Sequence, residues 1–317
     1  MLHRMPTPPT SLHLDASESV FFKRQLEFVD RQMYEVVFPE NKARQLVPTQ
    51  QGIPDWARVY TWRMFSKVGR AKIIANTADD IPRADATGEE DSKIIKPIAA
   101  SHGWDIFEIK GAAATGTPLD AMKAAASRFA IETEMDRILA LGDAAHNLDG
   151  LLALTGTVTR TPDAKTGGGT TWAAATPKEM AADVTGLIQK IITTMKGSGG
   201  PVFQRFVVTI PYDQYGLIAQ TQFSSSSDVT VLTWLLANSP WLEAIEPWQH
   251  CAGAGAGTTD RMCAYPRNPL VLSGIVPMEY TTEPPEKRNL EYVVNALATC
   301  GGVVARYPVS IGYSDGI

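Results

Sequence analysis

Apolar residues recur at Phe22, Leu26, Val29, Met33 and Val37, in steps of four, three, four and four, and Pro39 follows. This spacing predicts an amphipathic helix over 21–38, ended by a residue that cannot donate a backbone hydrogen bond. The proline-, serine- and threonine-containing stretch before it reads as an extended arm. From residue 56 the pattern changes. Trp56, Val59, Tyr60, Trp62, Phe65, Val68, Ile73 and Ile74 lead outward, and Ile94, Ile95, Ile98 and the run from Trp104 to Ile109 lead back. β-branched and aromatic residues flanking a charged stretch predict a long two-stranded excursion over 56–110, with the acidic run Gly88 to Asp91 at its tip.

Thr117 then offers an N-cap, Pro118 suits the first helical position, and Asp120 favours the positive end of the helix dipole. The Ala-rich segment Leu119 to Leu141 follows, with Gly142 as its stop, so the longest predicted helix spans 118–141. Leu119, Met122, Ala126 and Phe129 share one face, and Ile131, Met135, Ile138 and Leu139 a rotated one, which predicts burial on more than one side. A second helix opens on the capping box Thr176-Pro-Lys-Glu179. It carries the stripe Met180, Val184, Leu187, Ile191 and Met195 and ends at Gly197. Shorter elements follow: a strand at Phe206–Ile210, a helix from Tyr212 to Ala219, a helix from Asp228 to Ala237 and a strand at Leu242–Ile245. The small-residue loop Ala252–Thr259 precedes closing strands over 290–299 and 302–311. The fold class is α+β.

Composition narrows the function classes. The chain has 317 residues, 44% hydrophobic and 20% charged, a formal charge of −5 and no basic run. A mildly acidic surface without a Lys/Arg face is not built to hold nucleic acid tightly. No stretch approaches a membrane span, and no secretory leader is evident at the N-terminus. Cys251, Cys263 and Cys300 are odd in number and form no CxxC pair. Catalytic motifs are missing too, since neither GxSxG nor HExxH occurs. The run Gly253-Ala-Gly255-Ala-Gly257-Thr-Thr lacks the GK[ST] ending of a phosphate loop, and His250, Cys251 and Cys263 are too few for a zinc site. No catalytic residue, cofactor or metal is expected.

The order of these segments resembles that of major capsid proteins of tailed phages with the Hong Kong 97-type fold, and in particular a subgroup long catalogued as a domain of unknown function. The match is carried by residues 26–39, Leu-Glu-Phe-Val-Asp-Arg-Gln-Met-Tyr-Glu-Val-Val-Phe-Pro, and by 76–83, Asn-Thr-Ala-Asp-Asp-Ile-Pro-Arg. It continues in Thr117-Pro-Leu-Asp120 with the helix to Leu141-Gly-Asp143, and in the ending from Gly301-Gly-Val-Val-Ala-Arg-Tyr-Pro308 to Ile317. The resemblance implies an N-terminal arm and helix (1–55), an extended loop (56–110) and a peripheral domain with a spine helix (111–204). An axial domain (205–288) and return strands of the peripheral domain (289–317) complete it. It also implies hexamers and pentamers in an icosahedral head around double-stranded DNA, with a portal at one vertex. A separate scaffolding protein is expected, because only about twenty residues precede the first helix, and a decoration protein is a possible further partner. DNA contact is weak and non-specific, no membrane is involved, and assembly is expected in the bacterial host cytoplasm.

In that frame the extended loop makes the inter-subunit contacts through Lys67, Arg70, Lys72, Asp79, Asp80, Arg83, Glu89, Glu90, Lys93 and Lys96. Some relatives crosslink a loop lysine to a neighbour's asparagine, a role open to Lys67, Lys72, Lys93 or Lys96. Two alternatives stand beside the phage head: an encapsulin-like compartment shell, and a small α/β enzyme using His250, Cys251 or Cys263.

Overall fold

A computed structural model describes residues 40–69, 83–115, 119–198, 203, 205–224 and 227–317. The expected helix over 21–38, the cap Thr117-Pro118, and Arg70, Lys72, Asp79 and Asp80 lie outside the described residues. The single turn α1 (Ala43–Leu46) is tied down at its first amide, where Ala43 N–H donates to Asp136 at 2.6 Å. The chain then runs out along β1 (Val59–Val68) and back along β2 (Asp85–Ile94), paired antiparallel from Val59↔Ile94 to Val68↔Asp85. The acidic run Gly88–Asp91 therefore sits in mid-strand, opposite Phe65 to Trp62, and not at the tip. The return end of the predicted excursion also needs correction. The paired hairpin ends at Ile94, and β3 (Lys96–Asp105) leaves it to pair along its whole length with β15 (Glu291–Cys300).

Beyond β3 the chain forms α2 (Ile106–Thr115) where a strand was expected to Ile109. The Glu108 carboxylate accepts the Asp105 N–H at 3.2 Å and the Lys123 ammonium at 2.6 Å, so Asp105-x-x-Glu108 works as a helix start. The Lys123 bond, then the Asp105 amide, lowers the Glu108 pKa below its ordinary value. Helix α3 (Leu119–Leu141) ends where predicted; its 23 residues make a rod roughly 35 Å long. Gly142 ends it at φ +77°, and a Cβ there would lie 2.5 Å from the Leu148 carbonyl. The turn is closed by β4 (Gly142–Asp143) pairing with β5 (Leu148–Asp149).

The C-terminal half of α3 buries Ile131, Met135, Ile138 and Leu139 as expected. Among the residues of its N-terminal half whose burial is described, the buried position is Ser127, whose hydroxyl bonds Ala124 O at 2.9 Å and lies 3.1 Å from Tyr280 Oη. The apolar residues Met122, Ala126 and Phe129 face solvent instead.

After β6 (Val158–Arg160), helix α4 (Pro177–Gly197) buries the predicted stripe, together with a carboxylate. Asp183 accepts from Lys165 Nζ at 2.5 Å, Trp172 Nε1 at 2.9 Å and Arg160 Nη1 at 3.3 Å, stitching the 158–175 loop to the helix. Gly186 leaves room for that arginine, since a Cβ would lie 3.0 Å from its guanidinium carbon. At the start of α4 the capping box forms. Hydrogen bonds from the Thr166 hydroxyl, then the Thr176 amide and hydroxyl, hold Glu179 down to about 2 from its ordinary 4.5. A depressed carboxylate stabilises the fold above its unfolded pKa and stops doing so as pH falls through its folded pKa. Glu179→Gln should therefore melt below the natural chain by a constant margin above pH ~5, and that margin should close between pH 4.5 and about 2. Paired melting curves across this range check it; a margin that does not vary with pH would sink the idea.

The strand β7 (Phe206–Ile210) is buried at every position. Next come α5 (Tyr212–Gln220), β8 (Gln222–Ser224) paired with β9 (Ser227–Thr230), and α6 (Val231–Asn238), capped by Thr230 and so starting later than predicted. Then β10 (Leu242–Pro247) and β11 (Arg261–Tyr265) join a five-stranded mixed sheet of order β10-β7-β11-β17-β6, with β17 (Gly312–Asp315). One face carries Val207, Cys263, Tyr265 and Tyr313 into the core beneath α3. The other carries Phe206, Val208, Ile210, Met262 and Ala264 into a second core with α4, α5 and α6. A sheet covered on both faces needs apolar side chains in both directions, which is why β7 reads as a continuous run. Helix α4, grouped with the long helix on sequence, thus packs on this sheet. The remaining strands, β12 (Leu272–Gly274) with β16 (Val303–Ala305), and β13 (Thr281–Thr282) and β14 (Glu286–Arg288) with β15, finish the α3 side. The expected closing strand over 302–311 is broken between β16 and β17 by a 3-10 turn at Pro308–Ser310.

Candidate functional site

The β1–β2 hairpin is rooted on one face only. Trp62 packs with Ile95, Ile275 and Val304, and Tyr60 and Met64 lie against the same cluster. These are the even-numbered positions of β1, so the odd ones point away from the body. The outward face reads, pair by pair, Val59/Ile94, Thr61/Ser92, Arg63/Glu90, Phe65/Gly88 and Lys67/Ala86. Arg63 Nε donates to Glu90 at 2.8 Å across the strands. The Phe65 ring covers Gly88 and is 75% exposed; Val59 and Ile94 are exposed as well. Every described β2 residue except Lys93 is exposed. The hairpin is a projecting arm, roughly 33 Å long for its 10-residue strands.

Of the residues expected to make contacts, Lys67, Arg83, Glu89 and Glu90 are exposed on or beside the arm. Lys93 is committed within the chain, its ammonium 2.5 Å from Asp149 Oδ2. Lys96 begins β3 opposite Cys300, in the body sheet. Neither belongs to the arm's free surface. What charge spacing missed is apolar: Phe65 on the arm, Phe107 on α2 (70% exposed), and Met122 and Phe129 on α3. Large exposed apolar side chains are candidate interaction surfaces. The stripe Met122, Ala126, Phe129 was legible in the sequence, but only as a buried face.

The residues of the enzyme alternative are buried or bonded within the fold. Cys251 and Cys263 are fully buried, and burial pushes the Cys251 thiol up to about 12 and that of Cys263 well above its ordinary value. Burial of this kind disfavours the thiolate that a nucleophilic cysteine needs. His250 Nε2 lies 2.8 Å from Asp136 Oδ2, and Asp136 also holds the Ala43 amide; the pair joins the 249–251 turn to α3 and α1. In the glycine loop, Gly253 N–H donates to Asp260 and Ala256 N–H to Asp315, whose carboxylate also pairs with Arg261. Two carboxylates already take those amides, so the loop offers no cradle for an anion. Among the described residues no cluster of His, Cys, Asp and Glu could hold a metal ion, and no helix is long and apolar enough to cross a membrane.

Comparison with solved structures gives the fold. The capsid of Myoviridae phage XM1 matches with a TM-score of 0.79 at 18% identity, over 95% of this chain and 100% of that one. The capsid of an empty GTA particle computed with C5 symmetry matches at 0.65 and 9% identity, over 96% of this chain and 99% of that one. Mycobacterium phage Bobi matches at 0.61 and 12% identity, over 92% and 95%. No curated protein sequence matches. The family model described as major capsid protein matches residues 69–317, from the arm to the C-terminus. A helix-and-strand body with a projecting arm, folded like phage capsid subunits and matched over most of its length by that model, makes this chain a member of the major capsid protein family.

Proposed function

We propose that this chain, as a Hong Kong 97-type subunit, builds the icosahedral head of a tailed phage from hexamers and pentamers and encloses double-stranded DNA. The observation that carries the proposal is the arm: two exposed strands whose outward face leaves Phe65 three-quarters exposed, with Val59 and Ile94 half-exposed beside it, among the described residues. A neighbouring copy covers that face, and Lys67, Arg70, Lys72, Asp79, Asp80, Arg83, Glu89 and Glu90 set register at its rim. Unlike surfaces meeting head to tail close into rings, which gives five- and six-fold capsomers. The α3 side then serves as peripheral domain and the β7–β11 side as axial domain. The portal, a scaffolding protein and a decoration protein are the further partners, and assembly takes place in the host cytoplasm. The acidic wall holds the genome only weakly.

Size-exclusion chromatography with electron microscopy tests this. The expressed chain, alone or with a scaffold, should elute as capsomers or megadalton shells showing five- and six-fold clusters. A monomer or small oligomer under every assembly condition would remove the proposal, and shells purified with a protein cargo in place of DNA would turn it to a compartment.

A further inference from the structure

We infer that Arg306 and Lys93 are positioning residues that aim the arm: two cationic clamps, one on each strand, fix its angle to the body before any neighbour is met. The inference rests on the arm's contact with a neighbour proposed above. Arg306 follows β16, and its guanidinium gathers four neutral oxygens from three segments. Nη1 donates to Pro269 O at 2.7 Å and Ser273 Oγ at 3.1 Å; Nη2 donates to Gln50 Oε1 at 3.2 Å and Tyr60 Oη at 2.9 Å. Only Tyr60 belongs to the arm; the other three hold the guanidinium on the body, so its plane sets where the Tyr60 hydroxyl sits. On β2, Lys93 does the same through Asp149 at 2.5 Å, in the turn after α3.

Beside the clamps, which hold the cross-strand partners Tyr60 and Lys93, the arm packs through Trp62 on Ile95, Ile275 and Val304. An apolar plug is non-directional and resists pulling more than rotation. Directed hydrogen bonds on both strands resist rotation, and a planar fork held by four acceptors does so better than a flexible ammonium. Lever length makes this matter. On an arm of roughly 33 Å, a rotation of about 5° at the root moves the tip by about 3 Å, beyond the tolerance of any hydrogen bond it makes.

The test uses unassembled subunits first. Tyr60→Phe removes one hydroxyl, Arg306→Lys keeps the charge but not the fork, and Lys93→Gln opens the second clamp. Hydrogen exchange at the root amides, Val59 to Met64 and Lys93 to Ile95, should speed roughly ten-fold in each, with α4 and β7 unchanged. Cryo-electron microscopy of assembly products should then show a broadened size distribution or unclosed sheets. Unchanged root exchange in all three variants overturns the inference, and so does faster exchange with normal shells. If clamp variants misassemble while Phe65→Asp assembles normally, Phe65 is not where the arm meets its neighbour and the aiming device stands.

Discussion

Replacing Phe65 by aspartate should leave a folded subunit that no longer closes into shells. Phe65 sits on the outward face of β1 with its ring over Gly88 and three-quarters of its surface in water. Within the subunit the change forfeits one cross-strand contact, worth ~0.2–1 kcal/mol, so melting should barely move. Between subunits it removes an aromatic side chain whose burial contributes ~1.5–3 kcal/mol and puts a charge in its place. That is roughly a ten- to hundred-fold weakening of each contact, repeated at every copy in the shell. Particle yield by electron microscopy and thermal melting on one preparation decide it. Normal shells would free Phe65 of any assembly role, and an unfolded subunit would show that the arm belongs to the core. Phe65→Leu, which keeps the surface apolar, should retain most particles.

The largest effect on stability should come from Asp183→Ala. Asp183 and Lys165 side chains are each 1% exposed, and the carboxylate also takes the Trp172 indole N–H and an Arg160 N–H. Removing it leaves a buried ammonium and a buried indole donor without their acceptor. Breaking a buried pair from one side costs ~3–5 kcal/mol. For a chain of this size that lowers Tm by on the order of 10 °C. Lys165→Met combined with Asp183→Leu removes both charges and should recover much of the loss. A single-variant loss below ~1 kcal/mol would show that solvent reaches the pair, which then behaves as a surface ion pair does.

What the sequence determined by itself were elements whose signals are local. Helix α3 has a Gly stop whose φ only glycine adopts cheaply, and α4 has its capping box and a five-residue stripe. β7 is a continuous apolar run. In each case the residues that decide the element lie within it or at its ends. Helix α2 was also legible, in Asp105-x-x-Glu108, but Ile106, Phe107 and Ile109 are β-prone and outweighed the cap. β11 alternates between the same two cores as β7 but went unread, because Met262, Cys263 and Ala264 lack the β-branched side chains that mark β7 as a strand.

Only the tertiary structure decided which apolar residues are buried and which charges are free. Met122, Ala126 and Phe129 form as good a stripe as any. The body nonetheless takes Ser127, because Tyr280, distant in sequence, meets its hydroxyl. Lys93 looked like one of many arm charges until the fold brought it to Asp149, 56 residues away. Spacing along the chain tells which side chains share a face. Which face finds a partner depends on packing between segments far apart in sequence. A sequence therefore specifies the arm's two strands, while their aim and their free surface are set by where the rest of the chain places Arg306, Asp149 and Ile275.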